Sequence, residues 1–190
     1  MPTWQWILIA AAIVVVLAVL IVAVRSRGGR NRSEQLKQHF GPEYHRVVSE
    51  KGDPKAAEKE LAARARKRDK LDIVALSPIA RNDFLARWAQ VQTDFVDDPA
   101  NAVGSADLLV TEVMRQRGYP VDDFERRAAD ISVDHPHIVE NYRAAHGIHT
   151  AQQRGEVDTE RQREAFVHYR ALFERLLDTT DNDSSREARA

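Results

Sequence analysis

The sequence predicts an all-α protein: one apolar N-terminal helix, a basic tether, then a soluble helical bundle. Three observations carry this expectation. Residues 4–24 form an uncharged apolar run. Beyond residue 80 the apolar residues recur at intervals of three and four, the spacing of a helix with one buried face. Asp-Pro and Ser-Pro pairs punctuate the chain at the positions where helices would start.

The first element runs from Trp4 to Val24, WQWILIAAAIVVVLAVLIVAV, 21 residues without a charge. A helix of that length is roughly 31 Å long, about the thickness of a bilayer's hydrocarbon core. A cleaved signal peptide would need a positive start and a shorter core, but only Met1, Pro2 and Thr3 precede the run. A buried core helix would show a polar stripe, and none interrupts it. Arg25, Arg27, Arg30 and Arg32 follow at once. The positive-inside rule then puts the N-terminus outside and the rest of the chain in the cytoplasm. Trp4 and Trp6 stand at the outer end, where indole rings favour the interface. Gly28 and Gly29 make residues 25–33 a flexible basic tether.

Residues 34–178 are long enough for one domain with its own core. Its helix starts are marked by Asp53-Pro54, Ser77-Pro78 and Asp98-Pro99, each a capping residue before a proline. Asp158-Thr159 opens another, and Thr159 with Gln162 has capping-box spacing. Gly118 and Gly147 follow basic last turns and read as helix-ending glycines. Between these marks lie the stripes Phe84, Trp88, Val91, Phe95; Val103, Ala106, Val110, Val113; Phe124, Ala128, Ile131; and Ile138, Tyr142, Ala145. The last helix is the clearest: Ala165, Phe166, Tyr169, Leu172, Phe173, Leu176 and Leu177. Six or seven helices result. Leu71 to Leu76 has the composition of a short strand, but one strand makes no sheet. The tail, residues 179–190, is small and polar, and is expected to be disordered.

Lys55 to Lys70 differs from the rest. It is alanine-rich and charged nearly all round, with Leu61 its only large apolar residue, so it is expected to pack weakly or stay in solvent. Its basic end, Arg64, Arg66, Lys67 and Arg68, reads first as a solvated helix terminus. Together with Arg25, Arg27, Arg30 and Arg32 it is also the candidate surface for anionic lipids. Charge is unevenly spread: residues 1–70 hold 14 Lys+Arg and 7 Asp+Glu, whereas residues 71–190 hold 14 and 22. The acidic distal part and the lack of aromatics among the basic residues argue against nucleic acid as a partner.

Chemistry is less legible. The chain has no cysteine, which removes disulfides and thiol chemistry. The densest cluster of ionisable and aromatic residues is Asp134, His135, His137, Tyr142, Arg143 and His146, the candidate site for acid–base work or a metal. Its spacing is poor for a metal: His135 and His137 diverge on a regular helix, and no HExxH signature is present. Pro136 reads as a helix-start proline capped by Asp134 or His135, an ordinary structural role. No phosphate loop, nucleophile elbow or calcium loop occurs, so no cofactor or metal is expected, and no catalytic residue is assigned. Trp88 with Gln92 could line a pocket, but an amphipathic helix burying its largest residue accounts for both.

Several stretches carry a resemblance. They are Phe40-Gly41-Pro42-Glu43-Tyr44, Arg87-Trp88, Val91-Gln92, Phe95 to Pro99, Arg117 to Pro120, Ser132 to Pro136, Asn141 to His146 and Tyr169 to Phe173. Through them the chain resembles an uncharacterised family of single-pass membrane proteins from high-GC actinobacteria. The resemblance implies a bacterial plasma-membrane location and no specific activity. The leading functional expectation is a non-enzymatic interaction or scaffold module with a protein partner at the inner membrane face. The competing expectations are an enzyme or metal protein using the 134–146 cluster, and a sensor of anionic lipid through residues 25–70.

Overall fold

The structure is a computed structural model that describes residues 32–178. The apolar run 4–24, Arg25, Arg27, Arg30 and the tail 179–190 lie outside the described residues, so the expectations placed on them stand where the sequence left them. Arg32 and Ser33, given to the tether, are instead helical, as are the residues after them through Phe40. Residues 1–39 form a unit of their own. In its described part, Lys37 pairs with Glu34 one turn away.

From Phe40 onward the described residues contain no strand and seven complete helices: α1 (Pro42–Lys51), α2 (Pro54–Arg68), α3 (Pro78–Asp97), α4 (Pro99–Gln116), α5 (Phe124–Asp134), α6 (Val139–Gln152) and α7 (Thr159–Leu177). The proline-marked starts behave as expected. Asp53, Ser77 and Asp98 accept backbone N–H bonds from Ala56, Ala80 and Asn101, satisfying donors that a helix start leaves without intrahelical partners. Asp123 and Asp158 cap α5 and α7 in the same way, through Arg126 and Arg161. The cap of α7 is therefore Asp158, and Gln162 does not close a capping box from Thr159.

Two helix ends differ from the sequence reading. Gly147 does not stop its helix; α6 runs on to Gln152. Ile148 is buried in step with Val139, Tyr142 and Ala145, and continued burial outweighs the roughly 1 kcal/mol that a helical glycine costs. Pro136 opens no helix. It sits in a three-residue turn after α5, because buried Ser132 and Val133 carry α5 through Asp134. Residues 72–77 form neither helix nor strand. The Val74 N–H donates to the Arg117 carbonyl, and the Arg117 guanidinium donates to the carbonyls of Val74 and Leu176. Gly118, at φ 94, permits this approach, since a Cβ there would lie 2.4 Å from the Asp72 carbonyl oxygen.

Helices α3 to α7 form the bundle. α7 packs along α6 and α4, and α3 along α4. The expected stripes make one continuous core, with Val103, Ala106, Val110 and Val113 of α4 at its centre. Trp88 is buried and stacks on Phe166 and Phe173 of α7, at centroid distances of 5.2 and 4.5 Å. Helices α1 and α2 pack on each other as a hairpin, and α2 lies along α5. The hairpin buries Phe40, Tyr44, Val47, Ala57, Leu61 and Ala62, none of which belongs to the bundle core.

Candidate functional site

The most heavily coordinated side chain described is Glu43. It is the second residue of α1, behind the Gly41-Pro42 start, and is 0% exposed. Arg46 reaches back one turn and donates to both carboxylate oxygens, each at 2.9 Å. Arg64 of α2 donates at 2.8 Å. Arg143 of α6 also donates to both oxygens, at 2.7 and 3.1 Å. Burial, the largest influence, pushes the carboxyl upward. The bonds and charges of Arg46 and Arg143 outweigh it and hold Glu43 below its ordinary value. The excess positive charge is shared out, since Arg46 also binds Glu50 and Arg64 binds Glu60. With five donors on its two oxygens, this carboxylate joins three helices and is poorly placed to accept a substrate proton.

A second group of pairs lies between α2 and α5. Lys67 donates to both oxygens of buried Asp130 at 2.8 Å. Arg68 donates to Asp134 at 2.6 and 2.8 Å, and the Tyr119 hydroxyl donates to the same carboxylate at 2.6 Å. Burial and the Asp134 charge push the Tyr119 phenol far above its usual range. These contacts revise the reading of α2 as a free, charged helix. Arg64, Lys67 and Arg68 are paired with Glu43, Asp130 and Asp134, and Lys67 stays about half exposed while paired. Arg66 of that set is exposed, as is Arg32.

A third group sits inside the bundle. Asp107 of α4 accepts a 2.8 Å bond from the Tyr169 hydroxyl of α7. His146 of α6 brings Nδ1 to 3.9 Å from the same carboxylate. Burial pushes the Asp107 carboxyl upward, but His146 and Tyr169 more than offset this and leave it below its ordinary value. One face of His146 stacks on Phe124 at 3.6 Å, with the rings 7° from parallel. His146 also lines a shallow surface groove of about 480 Å³ with Asp123, Phe124, Glu125, Arg143 and Gly147. A separate groove of about 450 Å³ runs between α3 and α7, where Val96 and Val167 are 81% and 58% exposed.

The six residues of the 134–146 cluster are thus distributed among different partners. Asp134 belongs to the α2–α5 pairs and Arg143 to Glu43. His135 is buried in the turn after α5. His137 is exposed, and its ring lies against Gly41 at the start of α1. Tyr142 is fully buried against Phe124 and Tyr169; burial pushes its phenol up to about 12. His146 faces Asp107. No group of three His, Cys, Asp or Glu among the described residues is placed to hold a metal ion.

Sequence reasoning missed Glu43, Asp107, Asp130, Tyr119 and Tyr169 as network members. Asp107 carried a signal, being an acid four residues after Val103 on the apolar stripe of α4. Glu43 carried none, because its second and third arginines come from residues 64 and 143. Among the described residues no helix is long and apolar enough to cross a membrane. No protein-family model, curated protein or solved structure matches the chain.

Proposed function

We propose that the chain is a bacterial plasma-membrane protein whose helical domain is held at the cytoplasmic face as a non-enzymatic interaction or scaffold module, with a protein partner. The apolar run 4–24 and its arginine flank support the location. The observation that carries the non-enzymatic reading is the engagement of the charged members of the 134–146 cluster. Asp134 is bound by Arg68 and Tyr119, and Arg143 is bound bidentately by Glu43. Groups held in such pairs fix helices relative to one another, whereas a catalytic site needs a reactive group facing a substrate cleft.

The Asp107–His146 pair keeps the enzymatic alternative concrete, since a carboxylate-oriented imidazole beside a groove can move a proton. The test uses full-length protein in its native membrane. Reporters active only inside or only outside the cell are fused after Ala190, and neighbours are crosslinked in place. The proposal expects inside-reporter activity and one recurrent protein neighbour retained by His146→Ala. An active outside reporter would reverse the orientation. Loss of a defined turnover on His146→Ala would move the assignment to the enzyme.

A further inference from the structure

The α1–α2 hairpin meets the bundle through an unusual joint. Its buried apolar residues lie outside the bundle core, and its contacts with α5 and α6 are rich in ion pairs: Arg143 on Glu43, Lys67 on Asp130, Arg68 on Asp134. The cations on α2 come from its last two turns, beside Arg66. The carboxylates on α5 are all on the bundle side. If the joint opens, the two carboxylates that hold more than one partner each keep one. Glu43 keeps Arg46 and Arg64 within the hairpin, and Asp134 keeps the Tyr119 hydroxyl within the bundle. Asp130, Lys67, Arg68 and Arg143 lose their partners and pass into water. Removing one member of a buried pair is costly because the other stays behind unpaired; here Glu43 and Asp134 keep partners, and water must replace the rest.

We infer that the α1–α2 hairpin is an electrostatic latch, released from the bundle when an anionic phospholipid surface takes the basic end of α2 in place of Asp130 and Asp134. The inference rests on the proposed membrane anchorage, which places the hairpin closer along the chain to the bilayer than any bundle helix. Phospholipid phosphates offer Lys67 and Arg68 the same charge-assisted bonds as the carboxylates, and Arg64, Arg66, Lys67 and Arg68 gain from the surface potential together. Release separates α2 from α5 and frees the faces of α5 that α2 covers.

The absence of cysteine allows two unique spin labels. Ala63→Cys on α2 and Glu125→Cys on α5 are both at exposed positions. Full-length labelled protein is placed in phosphatidylcholine vesicles and in vesicles containing phosphatidylglycerol, and the interspin distance is measured. One short distance is expected in the neutral vesicles. In the anionic vesicles a longer population should rise by about tenfold or more, as expected for several basic residues attracted to the surface. Asp130→Asn with Asp134→Asn should populate the long distance even in neutral vesicles. Identical distributions in the two lipids would overturn the latch, as would a long population that ignores lipid charge. Failure of the protein to float with either vesicle would refute the anchor itself and remove this inference with it.

Discussion

The two halves of the domain are held by different physics. In the bundle α3–α7, Trp88 stacks on Phe166 and Phe173 over a continuous apolar core. The hairpin α1–α2 has a small apolar set of its own and is tied to the bundle by Glu43, Asp130 and Asp134. Apolar burial is non-directional and scales with area, so the bundle is expected to lose stability gradually as side chains are trimmed. Paired buried charges are directional, and their cost appears when one partner is removed. A helix with few large apolar residues can therefore still be fixed in place, provided the neighbouring helix presents carboxylates at the right turns.

The largest expected effect falls on the bundle. Trp88→Ala should lower the stability of the full-length protein by about 3–5 kcal/mol, read as a lower denaturant midpoint for bundle and hairpin alike. An unchanged midpoint would mean that the aromatic stack contributes little. Glu43→Gln should cost about 3 kcal/mol, because it leaves arginines around a neutral amide. Hydrogen exchange should quicken in α1 and α2 and stay slow in α4 and α7. Uniform acceleration across the domain would erase the distinction between the halves.

Acid sharpens the same comparison with a smaller effect. The folded Glu43 carboxyl lies below its ordinary value of 4.5. Its pairing therefore contributes fully above that value and is lost as the pH falls through the lowered folded value. Asp107 is also lowered, so the bundle softens in acid too. The hairpin's share is the part of the acid dependence that disappears in Glu43→Gln; equal acid profiles for wild type and variant would show that Glu43 supplies none of it. The smallest effect belongs to Arg66→Gln. This exposed side chain should change thermal stability by no more than about 0.5 kcal/mol. A larger loss would place Arg66 within the joint beside Lys67 and Arg68.

Some of the site was readable because its signals are local. Asp53, Ser77 and Asp98 announce their helices within four residues. Phe166, Tyr169 and Phe173 announce one face of α7 by spacing alone. His135, Tyr142 and His146 looked like a cluster because they are neighbours in sequence. The fold leaves His135 in a buried turn before α6, while Tyr142 and His146, one turn apart on α6, both meet Phe124 and reach different partners, Tyr169 and Asp107. Gly147 misled for a related reason: a glycine signals a helix end only when the apolar stripe also stops.

The sequence by itself determined the all-helical class, the capped starts and the apolar faces of α3 to α7. Each is a property of a few consecutive residues, set by backbone capping and helical period. Only the tertiary structure decided which charges meet. Glu43 finds Arg143 a hundred positions away, Lys67 finds Asp130, and Arg68 finds Asp134. A charged side chain carries no periodic mark of its partner, and its pairing follows from how the helices have already packed. Which ion pairs form depends on which turns of α2, α5 and α6 face one another in the packed domain.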